Sequence, residues 1–308
     1  MISMRLSGLH TATIGSFPLD DSEANRARIL DDLVDLGIGF PNYPQLVEMG
    51  EQFLEDIGRG VSPPGLEPFR WAVEHLRERG LGDRVRLKAS VTGPFTLASY
   101  VKVEGAPSGG MPLSDTALAS GEEVERLAEI LAESCRALGR EAGMVFVDEP
   151  ILSLIVGRAK ILLGYEREDI VRAYNGLRRA CGDVPVGSHV CGRISPLLAE
   201  TLLETDLDIL SHECFDAPEN LAIYDRESLE EGGKTLAVGC VSTTRPRVEG
   251  VEEIRALMER AVGRYGGNLI FTPDCGFKSL IVDGSGEAGY RTALQKLGNM
   301  MKAISTLE

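Results

Sequence analysis

Val184-Pro185-Val186-Gly187-Ser188-His189-Val190-Cys191 is a short apolar run that turns polar at its far end. It reads as a buried strand, and because residues i and i+2 of a strand share a face, His189 and Cys191 project to the same side where the strand closes. Similar apolar or β-branched runs occur at residues 11–14, 37–40, 85–91, 144–147, 209–213, 235–241 and 268–272, making eight with the run that ends at His189. Charged stretches of helical periodicity lie between them, at 22–36, 121–141, 168–180, 195–204, 251–265 and 287–304. Eight alternating strand and helix units in 308 residues predict an α/β fold, a (β/α)8 TIM barrel forming one domain over 1–308. A doubly wound open sheet is the alternative, but no phosphate-cradling glycine fingerprint follows the first run to support it.

Composition narrows the function. A chain this long with 43% hydrophobic residues can bury one large core, and no Pro/Ser-rich linker divides it. Its formal net charge of -15 argues against nucleic acid or an anionic membrane as a main partner, because both select a basic face. Six cysteines dispersed over the chain do not make the dense disulfide framework of a small secreted domain, and reduced thiols are expected. The first residues lack the apolar core of a secretory signal, and no stretch approaches the roughly 20 apolar residues of a membrane span. The expectation is a soluble, cytoplasmic protein.

Unusual polar residues fall where the runs end. Ser16 follows the first, Asn42 and Tyr43 the second, Thr92-Gly93-Pro94 the third and Asp148-Glu149-Pro150 the fourth; His189 and Cys191 close the fifth and Glu213 the sixth. Ser242-Thr243-Thr244 follows the seventh and Asp274-Cys275 the eighth. In a barrel these ends converge on one mouth, where such enzymes carry their chemistry. His189, Cys191, Glu213 and Cys275 are together a ligand set for one thiophilic ion, and they point to zinc. Two thiolates, a carboxylate and a neutral imidazole leave the site at a formal charge of about -1, which suits binding of an incoming thiol and lowering of its pKa from about 8.5. Thiol alkylation is the expected reaction. His212 and Cys214 flank Glu213 and could also bind metal, but a strand alternates faces, so only Glu213 or its two neighbours can point inward; Cys240 is a weaker candidate, and Cys135 and Cys181 read as core. Two excursions at the mouth, 42–82 with a Gly/Pro stretch between helical pieces and the Gly/Pro-rich 102–114, are either lids or docking loops or ordinary surface excursions.

The chain resembles the C-terminal catalytic barrel of the cobalamin-independent methionine synthase family. The resemblance rests on Thr13-Ile14-Gly15-Ser16-Phe17-Pro18, Val91-Thr92-Gly93-Pro94-Phe95-Thr96, Val147-Asp148-Glu149-Pro150, His189-Val190-Cys191, 209–213 and Pro273-Asp274-Cys275-Gly276-Phe277-Lys278. It implies a zinc-dependent methyltransferase with His189, Cys191, Glu213 and Cys275 as metal ligands. It further implies homocysteine bound at Ile14, Gly15 and Ser16, with Asp148 receiving the amino group. These roles suit a substrate with an ammonium, a carboxylate and a thiol, since three anchors would fix the sulfur for in-line attack on a methyl carbon.

The departures matter as well. The amino-group glutamates that the family places after the second strand are replaced around Gly39-Phe40-Pro41-Asn42-Tyr43-Pro44-Gln45. After the seventh run the family's Asp-x-His-Ser-Pro type segment, with a histidine proposed for proton transfer, is Ser242-Thr243-Thr244-Arg245-Pro246 here. A folate donor needs protonation at its leaving nitrogen, so the short core members of the family are the better match, and a methylated corrinoid, as methylcobalamin or a corrinoid protein, is the implied donor. Arg245, Arg247 and 102–114 are candidate docking elements for it. Rival readings are methyl transfer to another thiol such as coenzyme M, a folate-dependent methionine synthase, and a non-catalytic zinc- or thiol-binding partner of a corrinoid protein.

Overall fold

In a computed structural model that describes residues 7–103 and 113–307, seven strands form one parallel sheet. They are β1 (Leu9–Thr11), β2 (Lys88–Thr92), β3 (Met144–Asp148), β4 (Val186–Val190), β5 (Ile209–His212), β6 (Thr235–Gly239) and β7 (Leu269–Thr272). Parallel neighbours need long crossovers, and helices supply them. Among these, Val251–Tyr265 keeps the bounds expected from its periodicity, and Glu23–Asp35, Gly121–Leu138 and Pro196–Leu203 begin at serine caps (Ser22, Ser120, Ser195) that each accept a backbone N–H.

The strand order β1-β7-β6-β5-β4-β3-β2 places the first strand beside the last, so the sheet curls round and its two edges are β1 and β2. The strand expected at 37–40 is not formed. In its place 40–45 runs between the two edges, making isolated parallel bridges from Phe40 to Ala12 and from Asn42 to Lys88. Phe40 N donates to Thr11 O at 2.9 Å and Lys88 N donates to Pro41 O at 2.9 Å. Pro41 and Pro44 have no N–H to give, which stops a continuous ladder in this segment.

Alternation along the strands sorts their side chains. Ala89 and Val91 of β2 join the large core between sheet and helices. On the concave side a second core of Ala12, Phe40, Met144, Phe146, Ile209, Ala237 and Ile270 fills the interior. Ser90 pairs in register with Phe146 and Thr92 with Asp148, so the concave face passes from apolar to polar toward the C-terminal strand ends. The excursion 42–82 is no loose lid: it carries helices Met49–Gly58 and Glu67–Glu78, whose Phe53, Phe69 and Leu76 are buried in the main core. The lid or docking loop expected at 102–114 falls largely on 104–112, outside the described residues. Among the described residues no helix is long and apolar enough to cross a membrane.

One buried ion pair ties the last helix to the loop after β6. Lys296 Nζ donates to both carboxylate oxygens of Glu249, at 2.8 and 2.9 Å, with neither side chain exposed. Removing one partner strands a buried charge, which costs about 3–5 kcal/mol. Glu249→Ala is therefore expected to lower the urea midpoint by the equivalent of about 3–5 kcal/mol. An unchanged midpoint would show that water reaches Lys296 and that the pair does not hold this helix.

Candidate active site

His189 lies on the concave face one residue before the end of β4, almost wholly buried, and Cys191 follows just beyond it. Cys275 arrives from the segment after β7. Cys191 Sγ is 3.3 Å from His189 Nε2 and 3.2 Å from Cys275 Sγ, and the three donor atoms all lie within 4.8 Å of one another. His189 Nδ1 meets Ser211 Oγ of β5 at 3.1 Å, leaving Nε2 for the sulfurs. One imidazole and two sulfurs, with the ring oriented from behind, fit a thiophilic metal. The two sulfurs share a hydrogen bond that holds Cys275 well below the usual thiol range and raises Cys191. A thiophilic metal would bind both as thiolates, so its binding would release protons.

Asp274 secures the segment that delivers Cys275. Its carboxylate accepts the backbone N–H groups of Cys214, Phe215 and Asp216 at 3.0, 3.0 and 2.7 Å, and burial still pushes its pKa up to about 7. The loops after β5 and β7 are thereby locked together.

Glu213, the fourth expected ligand, stands outside the close group of three. Its Oε1 accepts Gly192 N at 2.9 Å, and burial raises its pKa, with nearby Cys275 adding to the effect and His189 opposing it. His212 and Cys214 take the other face: His212 Nε2 meets Tyr224 OH at 2.9 Å and burial pushes its imidazole down to about 3, so it stays neutral. Cys135, Cys181, Cys214 and Cys240 are buried away from the group.

Asp148 ends β3, and its Oδ1 is buried without a hydrogen-bond partner. Thr92 Oγ1, opposite it in register on β2, is likewise buried and unpaired. Such orphans are rare and call for a ligand or water. The neighbouring Glu149 is different: its carboxylate accepts Phe95 N, Thr96 N and Thr96 Oγ1 at 2.9, 2.7 and 2.6 Å, capping the helix Pro94–Tyr100, and burial pushes its pKa up to about 7. Of the two adjacent acids, one is structural and one faces the site.

Ile14, Gly15 and Ser16 lie beside the cysteine segment. Ser16 O accepts Phe277 N at 2.8 Å, and a side chain on Gly276 would strike Ser16 Oγ. Gly15 has φ 141°, and a Cβ there would collide with Asn42 and Gln45. The site also holds a residue that sequence reasoning missed. Lys88, fully buried at the start of β2, bonds Ile14 O, Asn42 Oδ1 and Ser90 Oγ. A lysine at an inward position of an otherwise apolar run was the available signal. Arg245 and Arg247, by contrast, are ion-paired with Asp216 and Glu253 at 3.0 and 2.7 Å.

Residues 66–305 match the family model for the catalytic domain of cobalamin-independent synthase. The chain is 31% identical over 271 residues to the methionine synthase of Methanothermobacter marburgensis, covering 83% of this chain and 77% of that one. It is also 31% identical over 241 residues to the methionine synthase of Methanocaldococcus jannaschii, covering 74% and 67%. Among solved structures, a B12-independent methionine synthase from Shewanella sp. W3-18-1 in complex with selenomethionine superposes with a TM-score of 0.63 over 98% of each chain at 16% identity, a likeness of fold. The chain belongs to the cobalamin-independent methionine synthase family, a family of methyltransferases.

Ser211 makes a prediction about the metal-binding group. Orienting partners behind a ligating histidine typically contribute 10–100-fold in affinity. In competition with a chromogenic chelator, Ser211→Ala is expected to bind Zn²⁺ about 10–100-fold more weakly. Because the metal displaces a proton from the cysteine pair, the wild-type affinity is expected to rise with pH. Equal affinities in wild type and variant, or a pH-independent one, would contradict this account of the site.

Proposed function

We propose that the chain is a zinc-dependent methyltransferase that methylates the thiol of homocysteine to form methionine. The single observation that carries the reading is the convergence of His189, Cys191 and Cys275 beside the unpartnered Oδ1 of Asp148. His189, Cys191 and Cys275 would hold the zinc, with Glu213 completing the set. When bound, zinc supplies a Lewis acid that keeps the substrate sulfur deprotonated and nucleophilic at neutral pH. The same reading takes 40–45 as the seam that closes the sheet into a (β/α)8 barrel, with all these groups at its C-terminal mouth.

The chain's own residues bind and orient. Asp148 receives the ammonium of the amino acid, satisfying its orphan oxygen by a charge-assisted hydrogen bond. Gly15 and Ser16 receive the carboxylate, through backbone N–H groups and the Ser16 hydroxyl. The sulfur, fixed between these anchors and the cysteine group, then attacks the methyl carbon in line, forming the S–C bond as the methyl's bond to the donor breaks and the donor leaves with that electron pair. Asp148 favours homocysteine over a thiol without an ammonium such as coenzyme M, and family membership favours an enzyme over a non-catalytic partner.

Two donors each have an observation behind them. A methylated corrinoid is supported by the segment Ser242-Thr243-Thr244, which offers no histidine to protonate a folate nitrogen. Its Ser242 hydroxyl is itself spent on Asp216 Oδ2 at 2.5 Å. A folate donor is supported by the family's description as cobalamin-independent.

Zinc-loaded protein given homocysteine is expected to form methionine with methylcobalamin, and Cys275→Ser to abolish it. Turnover with methyltetrahydrofolate alone would select the second donor, and methionine from neither donor would defeat the proposed reaction. Asp148→Asn is expected to raise the homocysteine KM by about 10–100-fold, the worth of one charge-assisted hydrogen bond. A KM within twofold of wild type would remove Asp148 from amino-group recognition.

A further inference from the structure

Among the described residues Lys88 is the one lysine of the sheet's concave face, and nothing in the proposed reaction uses it. It opens β2 with no exposed surface, and its ammonium sits 4.5 Å from the centre of the Phe146 ring. No carboxylate lies within 4 Å of Nζ among the described residues. Its three donors go to Ile14 O at 3.0 Å, Asn42 Oδ1 at 3.1 Å and Ser90 Oγ at 2.7 Å. A buried ammonium held only by neutral acceptors is costly, and here burial pushes its pKa down to about 8, with Asp148 and Cys275 acting in the opposite direction. A hydrophobic residue would stabilise the fold more simply, so the cost points to a role.

The three acceptors identify that role. They belong to three different segments: the one that follows β1, the 40–45 seam, and β2 itself. These meet where the regular ladder is reduced to single bridges, Ala12 to Phe40, Ser16 to Gln45 and Asn42 to Lys88. Elsewhere in the sheet, neighbouring strands are held by two to five consecutive pairs. At the seam the lysine side chain adds a grip on Ile14 O to the few backbone bonds, Gln45 N to Gly15 O at 3.1 Å and Phe17 N to Gln45 O at 3.4 Å among them. Asn42 is drawn in further, since its Oδ1 also accepts Ser90 Oγ at 3.1 Å, its Nδ2 donates to Tyr43 O at 2.8 Å and its N donates to Thr13 Oγ1 at 2.8 Å. The Ile14 carbonyl that Lys88 grips directly precedes Gly15 and Ser16.

We propose that Lys88 is a positioning residue for the thiol amino acid: its three hydrogen bonds clamp the Ile14-Gly15-Ser16 segment across the seam, fixing the backbone that receives the substrate carboxylate. The proposal rests on the reading that homocysteine is bound there. It does not place Lys88 in contact with substrate, because all three of its donors are already engaged.

The test is steady-state kinetics of zinc-loaded Lys88→Met and Lys88→Gln, varying homocysteine and the methyl donor separately, with bound zinc and the urea midpoint measured on the same samples. A shift of the clamped segment by as little as 1 Å can cost about 100-fold. The homocysteine KM is expected to rise about tenfold or more, while the donor KM and the zinc content stay within about twofold of wild type. If Lys88→Met does not fold, Lys88→Gln, which keeps two of the donors, decides alone by the same readouts. A lowered urea midpoint with an unchanged homocysteine KM in the folded enzyme would make Lys88 merely structural and overturn the proposal. So would a rise in both KM values together. Absence of methionine from the wild-type enzyme with either donor would instead defeat the underlying reading of the reaction, so the two failures are distinguishable.

Discussion

Pairing of β1 with β7 is the constraint on which the rest of the molecule depends. Strands that run parallel and advance through helices put every C-terminal end on the same side of the sheet. Curling the sheet, with 40–45 bridged to both of its edges, draws that row of ends together. Cys191 and Cys275 are separated by 84 positions and stand 3.2 Å apart for this reason. The interior below these ends is filled by an apolar layer that includes Phe146, Ile209 and Ile270, so the polar groups above it have a dry floor. A low-dielectric floor strengthens the electrostatic interactions above it and makes unpaired polar atoms there expensive.

The site is built from matched shortages. Among the described residues, Asp148 Oδ1 and Thr92 Oγ1 lack partners, the two cysteine sulfurs share one hydrogen bond, and Lys88 has no carboxylate in contact. Each would be a defect in an ordinary core. Under the proposed function, a zinc ion at the sulfurs and the ammonium of the substrate at the carboxylate would complete the charge balance of this group. The surrounding carboxylates are satisfied instead. Asp274 takes three backbone N–H groups and Glu149 takes two and a hydroxyl, which makes them braces for the loops that carry the reactive groups.

Much of this was legible in the chain. The shared face of His189 and Cys191 and the acid at the end of β3 follow from period-two alternation and from the chemistry of the side chains, whereas alternation alone left open whether Glu213 or its neighbours His212 and Cys214 point inward. The seam was misread because 37–40 looks like a strand by composition, whereas Pro41 and Pro44 limit it to isolated bridges. Segment 42–82 read as a lid, a docking loop or a surface excursion with helical pieces. Its helices pack into the main core, since Phe53 and Phe69 find a core that composition cannot locate. The Glu213 carboxylate accepts the Gly192 N–H, a local hydrogen bond that strand parity does not foresee.

The sequence by itself determined which residues could act together: alternation sets the face of each strand, and the residue types set the metal and substrate chemistry. Only the tertiary structure decided which of them touch. That His189, Cys191 and Cys275 meet, that Glu149 caps a helix while Asp148 Oδ1 stays unpaired, and what Lys88 grips depend on distances of a few ångströms between segments far apart in the chain. Such distances come from the curl of the whole sheet, a property no local stretch of sequence contains.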